Sequence, residues 1–183
     1  MKKYSLDSAK VATSTRDWLK KRGVENEAIA ALVLDMQTSY YPGLTIEECL
    51  ENVDRVLSKR EVQNAILTGI QLDMLAEQGK LEGPLQEMIL NDEGLYGCDE
   101  ILALSIVNVY GSIGLTNFGY LDKVKPGIIG KLNEKGGPMI HTFLDDIVGA
   151  IAASAASRIA HRKQEKAEAL GAPQAGPEDG PGV

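Results

Sequence analysis

Two apolar stretches in the second half of the chain, Ile101 to Leu115 and Phe143 to Ala160, constrain the fold most, because each is opened by a pair of acids. Asp99-Glu100 stands before the first, and Asp145-Asp146 lies in the opening turn of the second. Neither stretch shows the strict alternation of a half-buried strand bounded by turns. Apolar runs of this length form either the centre of a helical bundle or a membrane span, and a span needs about 20 apolar residues. Asn108, Gly111 and Gly114 interrupt the first run, while Asp145, Asp146 and Arg158 bound the second. The expectation is a soluble protein without a transmembrane segment, built around unusually apolar central helices.

The rest of the chain reads as helix after helix. Ser8 to Arg22 ends at Gly23, and Val24 to about Tyr40 stops before Pro42. Thr45 and Glu48 form a capping box for a helix that turns Ile46, Leu50, Val53 and Leu57 inward. Ser58 and Glu61 repeat that box before Val62, Ile66, Ile70, Leu72 and Leu75, and Gly79 ends the run. Pro84 opens a short helix to Leu90, Asp99 caps one running to about Tyr110, and Thr142 with Asp145 caps the last, to about His161. The fold class expected is all-α, a multihelical bundle with one apolar late helix at its centre and the others around it. Residues 1–162 are read as a single helical domain. The stretch 163–183, with Pro173, Pro177 and Pro181 among glycines and acids, is read as a disordered tail.

Composition narrows the function classes. The 183 residues carry 44% apolar and 25% charged side chains, the balance of a globular protein. A net charge of −7 argues against nucleic-acid binding, which needs a basic face to displace counterions. Cys49 and Cys98 are too few for a disulfide framework, and Met1 to Lys10 lacks the apolar core of a signal peptide, so a cytoplasmic protein is expected.

The acids carry the chemistry. If the two apolar helices begin at the same end of the bundle, Asp99, Glu100, Asp145, Asp146 and Asp122 can surround one small volume. Carboxylates that close repel one another and are costly to bury unless a hard divalent cation neutralises them. An oxygen-only set, with neither His nor Cys at ligand spacing, points to Mg²⁺. The plainer alternative is that acids in a first turn complement the helix dipole, worth about 0.3–1 kcal/mol each at a surface.

Three segments resemble the phosphatidylglycerophosphatase A family. Asp92-Glu93-Gly94-Leu95-Tyr96-Gly97-Cys98-Asp99-Glu100 is similar to its Asp-x6-Asp-Glu motif. Phe118-Gly119-Tyr120-Leu121-Asp122, followed by Lys125-Pro126, is similar to Phe-Arg-x-x-Asp-x-x-Lys-Pro, with Gly119 in place of the Arg. Leu144-Asp145-Asp146-Ile147-Val148 is similar to its Asp-Asp-Ile-Val segment. The resemblance, over about residues 92 to 160, implies a Mg²⁺-dependent phosphatase of a phosphate monoester such as phosphatidylglycerophosphate. It implies that Asp99, Glu100, Asp145 and Asp146 are metal ligands, with Asp146 also in the chemistry. Asp122 becomes a further ligand or the base for the attacking water, Lys125 the holder of a phosphate oxygen, and Asp92 a supporting acid. The implied partner is a phosphate-ester substrate, a phospholipid headgroup among them, which would bring a cytoplasmic enzyme to the membrane periphery. A homo-oligomer is compatible with the sequence. The alternative is a non-catalytic helical binding or oligomerisation module that keeps an acidic metal pocket.

Other polar residues compete for attention. Glu61, Asn64 and Thr68 form a polar line that reads either as a solvated face or as a reach toward a site. His141 is an acid candidate or a structural histidine, and Arg158, His161, Arg162 and Lys163 suit a helix C-terminus. Gly111 and Gly114 suit bends and close helix contacts, since the strand-to-helix setting of a phosphate loop is missing.

Overall fold

The last helix is the axis on which the others pack. In the computed structural model, which describes residues 7–169, helices run α1 Ser8–Lys21, α2 Asn26–Gln37, α3 Ile46–Leu57, α4 Arg60–Glu77, α5 Pro84–Asn91, α6 Cys98–Val107, α7 Gly111–Val124, α8 Gly127–Leu132 and α9 Leu144–Ala169. A 3₁₀ turn, Asn108–Tyr110, joins α6 to α7, and no strand occurs among the described residues. The all-α class is therefore as expected. Every residue from Thr142 to Ser157 is buried. A helix apolar on all sides belongs in a core, and Gly149, Ala150, Ala152, Ala153, Ala155 and Ala156 let α2, α3, α4, α6, α7 and α8 pack against it. Of the two apolar late helices, α9 is the central one; α6 lies outside it with Ile101 exposed.

The α6–α7 stretch doubles back along α9. Asp99 stands beside Asp146, the Tyr110 carbonyl accepts from Ser157 Oγ at 2.9 Å, Phe118 lies against Gly149, and Lys125 returns to Asp145 and Asp146. Gly111 (φ 72°, ψ −163°) makes the reversal, in backbone space that favours glycine. Cys98–Val124 is long and apolar enough to cross a membrane by length and composition, with a mean hydropathy of 1.5. Folded as a hairpin, its legs reach only about 15 and 21 Å at 1.5 Å per residue, against a hydrocarbon core of about 30 Å.

Several expected boundaries shift for identifiable reasons. The Thr45–Glu48 box forms with both bonds at 3.3 Å, but the Ser58–Glu61 box does not. Ser58 ends α3 and its hydroxyl bonds back to the Arg55 carbonyl. Asp99 lies inside α6, behind Gly97, rather than capping it. Thr142 also does not cap α9, because its hydroxyl donates to the Ile89 carbonyl at 2.7 Å. Helices α7 and α8 are not evident in the sequence pattern: glycines at 111, 114, 119, 127 and 130 depress helix propensity, and packing on α9 overrides it. Helix α9 continues to Ala169, into the stretch read as tail; the remainder of that tail, 170–183, lies outside the described residues.

Gly69 marks the tightest approach of α4 to α9. A Cβ there would collide with Ile147 Cδ1 and stand 3.0 Å from Phe143 Cβ, whereas one at Gly119 meets nothing within 4 Å. Gly69→Ala is expected to cost about 1–2 kcal/mol net in urea unfolding, overpacking of about 1–3 kcal/mol being partly offset by better helix propensity. Gly119→Ala, with propensity alone at stake, is expected to be stabilising by up to about 1 kcal/mol.

Candidate metal centre

Three helix ends meet at one point. α6 and α9 run side by side in the same direction, so their first turns put Asp99, Glu100, Asp145 and Asp146 at the same end of the bundle. The positive dipole ends of both helices lie at these acids, and first-turn amides of α6 donate to Asp99. α7 runs the opposite way and delivers Asp122 in its last turn and Lys125 just beyond it. Lys125 closes α7 in a left-handed conformation (φ 48°, ψ 52°), and Pro126 prevents the helix from continuing. Gly130 permits this arrangement, because a Cβ there would stand 2.5 Å from the Lys125 carbonyl oxygen.

The acids fall into two groups that share Asp146. In the first, ligand oxygens of Asp99, Glu100 and Asp146 lie within 4.8 Å of one another. Asp99 Oδ1 and Glu100 Oε2 are buried without any hydrogen-bond donor. In the second, Lys125 Nζ sits 2.7 Å from Asp122 Oδ1, 3.0 Å from Asp145 Oδ2 and 3.0 Å from Asp146 Oδ1. Thus Asp145 and Asp146 both face the ammonium, while Asp99 and Glu100 face each other and Asp146, with first-turn amides of α6 on Asp99 and no cationic side chain on either among the described residues. Asp122 is at the mouth, half-exposed.

Burial governs the ionisation of these groups. It pushes Asp99 up to about 7, helped by the proton it would share with Glu100 and by Glu100's charge. It pushes Asp146 up to about 8, with Asp145 adding repulsion that Lys125 only partly offsets. Asp145 is raised by burial against the pull of Lys125. Lys125 itself is lowered by burial, but Asp145, Asp122 and Asp146 more than reverse this and hold it protonated. One ammonium cannot neutralise the whole set. No protein group donates to these two oxygens, Asp99 Oδ1 and Glu100 Oε2, and the oxygen-only chemistry of the pair fits a hard divalent cation.

The remaining candidates separate clearly. Asp92, left-handed at the end of α5 (φ 52°), raises Asp145 by its charge and lies 3.5 Å from Lys135 Nζ. With Asn133, Lys135, His141 and Thr142 it lines a cavity of about 250 Å³. His141 Nδ1 bonds to the Leu132 carbonyl at 3.0 Å and the ring is lowered by burial, as suits a structural histidine. Glu61, Asn64 and Thr68 form an exposed face. Arg158 bonds Asn52, Arg162 pairs with Glu51 and Lys163 lies over the Tyr41 ring, all toward the other end of α9. Asp73 was not evident from the sequence. Its fully buried carboxylate receives the Phe143 and Leu144 amides, and burial pushes it up to about 8 against their pull and that of Arg22. The available signal was an acid in register with the apolar stripe of Ile66 and Ile70.

The comparisons agree with this architecture. The family profile described as Phosphatidylglycerophosphatase A matches residues 19–161. YutG of Bacillus subtilis, named an uncharacterized protein, is 62% identical over 154 residues, covering 84% of this chain and 93% of the relative. The crystal structure of low temperature requirement C protein from Listeria monocytogenes is 64% identical with a TM-score of 0.84, covering 86% of this chain and 99% of that one. A protein of unknown function from Bacillus stearothermophilus is 68% identical with a TM-score of 0.81, covering 82% and 94%.

The raised carboxyls dictate a direction of pH dependence. An acid whose pKa is higher in the fold than in the unfolded chain, near 4, stabilises fully below that value and loses its contribution as pH rises through the folded pKa. With Asp99 at about 7 and Asp73 and Asp146 at about 8, the metal-free protein is expected to melt at lower temperature at pH 8.5 than at pH 5. Added Mg²⁺ should raise Tm more at pH 8.5 than at pH 5, as differential scanning calorimetry would show.

Proposed function

The chain belongs to the phosphatidylglycerophosphatase A family, and on that premise we propose that it is a Mg²⁺-dependent phosphatase acting on a phosphate monoester such as phosphatidylglycerophosphate. The observation that carries this reading is the Asp99–Glu100 pair beside Asp146, with one buried oxygen of each lacking a donor. Asp99, Glu100 and Asp146 would hold the cation, with Asp145 next to them as a further ligand. When bound, Mg²⁺ supplies charge neutralisation to the phosphoryl group and lowers the pKa of a coordinated water.

The protein's own groups supply the rest. Lys125, kept charged by its three acids, can exchange part of that contact for a non-bridging phosphate oxygen. Asp122 at the mouth accepts a proton from the attacking water as the new oxygen–phosphorus bond forms and the ester oxygen–phosphorus bond breaks, and the departing alkoxide takes up a proton from solvent to leave as the alcohol. The family's Arg three residues before this Asp is Gly119 here, on the exposed face of α7 with open space around it. Lys125 is therefore the phosphate-binding cation on this wall of the site. The cavity lined by Asp92, Asn133 and Lys135 offers polar room for the alcohol portion of an ester.

A phospholipid headgroup is the substrate favoured by the rim. Leu95 is 93% exposed four residues before Asp99, Ile101 follows Glu100, and Tyr120 and Val124 flank Asp122, all exposed. Such a collar suits work at the periphery of a bilayer, where exposed apolar side chains find a partner.

Phosphate release from phosphatidylglycerophosphate in mixed micelles tests the reading. Release is expected with Mg²⁺, not with chelator, and Asp146→Asn should lower kcat/KM by about 10²–10³-fold, the scale seen when a transition-state charge contact is removed. Equal release by Asp146→Asn would remove this site from the reaction. Metal-loaded protein that releases phosphate from no ester would leave a helical binding module.

A further inference from the structure

We infer that Asp73 is a positioning residue for this site, seating the first turn of α9 and so fixing where Asp145 and Asp146 stand; the inference rests on reading those acids as part of the reaction centre. A helix begins with four backbone amides that lack internal partners, and a nearby Ser, Thr, Asp or Asn usually receives one of them. Here the local candidate, Thr142, has turned away to the Ile89 carbonyl. The amides are received instead from another helix. Asp73 Oδ1 accepts from the Phe143 N–H at 3.1 Å and Oδ2 from the Leu144 N–H at 3.2 Å, with the carboxylate fully buried.

Two oxygens on two consecutive amides fix more than distance. A single acceptor would let the helix end pivot, whereas a bidentate one sets its rotation as well as its height. The next two residues along the chain are Asp145 and Asp146, so no flexible segment intervenes between the clasp and the acids.

The clasp is part of a stripe on α4 one turn apart at each step. Gly69, four residues earlier, has no side chain and lets Phe143 and Ile147 approach. Glu77, four residues later, accepts the Ile140 N–H at 2.7 Å and pairs with Arg22 Nη2 at 2.6 Å. Positions 69, 73 and 77 thus share one helix face, and that face grips residues 140 to 147 by contact, carboxylate and ion pair in turn. Residue-scale displacement is enough to matter, since misplacing a reacting group by about 1 Å can cost about 10²-fold in rate.

The test compares Asp73→Asn, which keeps the shape but turns one acceptor into a donor facing an amide, with Ile70→Val on the same helix. Titration calorimetry with Mn²⁺ and amide hydrogen exchange are the readouts. Asp73→Asn is expected to weaken Mn²⁺ binding at least 10-fold and to speed exchange at Phe143 and Leu144 at least 10-fold, leaving Ile151 to Ser157 protected. Ile70→Val should change both by less than twofold. Wild-type affinity in a folded Asp73→Asn protein would overturn the positioning role while leaving the metal site intact. Wild-type protein that binds no Mn²⁺ would overturn the metal reading and the positioning role with it. Independently of any variant, Phe143 and Leu144 amides in the wild-type protein should exchange as slowly as the middle of α9, and exchange at the rate of a frayed end would overturn the clasp.

Discussion

Carboxylates forced together out of water are the constraint around which the molecule is organised. Asp99, Asp145 and Asp146 are all nearly buried, yet one ammonium, from Lys125, is the only cation placed among them in the described residues. Each buried charge without a counter-charge costs several kcal/mol, so the group takes up protons or a cation rather than remain bare. The donorless oxygens of Asp99 and Glu100 mark where that compensation is incomplete. A protein keeps such a cluster at a cost in stability, and strongly shifted acids in a cleft are a recognised mark of a working site.

The scaffold supports the cluster from three directions. α6 and α9 present their amino ends together, and α7 returns antiparallel so that Lys125 arrives at the same end. Two of the supports use backbone that ordinary residues avoid: Lys125 and Asp92 are the non-glycine residues with positive φ among those described, and both border the acids. Strain of this kind, about 1–3 kcal/mol per residue, persists where the surrounding structure fixes it and often lies at functional sites. Ile101, Tyr120 and Val124 are exposed at the acid end of the α6–α7 hairpin, whereas exposed Val109 and Leu115 lie toward its turn, at the other end.

Much of this was legible before the structure. The all-α class followed from helical periodicity and from the lack of strand alternation, and the acid pairs at two apolar helices pointed to a shared volume. That one of the two apolar late helices would be central was legible; that it is α9 rather than α6 was not, since both stretches are apolar. What escaped the sequence depended on distant partners. α7 and α8 are glycine-rich and are helical because they pack on α9, which local propensity cannot reveal. Thr142 looked like a cap because the spacing to Asp145 fits a capping box, but the Ile89 carbonyl, 53 residues away, claims its hydroxyl. Asp73 could be noticed only as an acid on an apolar stripe, and its meaning needed the amides of a helix 70 residues further on.

If a divalent cation sits on Asp99, Glu100 and Asp146, anomalous diffraction from crystals grown with Mn²⁺ will locate it there. One strong peak is expected within bonding distance of Asp99, Glu100 and Asp146, with Lys125 still paired to Asp122 or Asp145. A cation bound elsewhere on the protein, with Asp99 and Glu100 left facing each other unaltered, would contradict this placement.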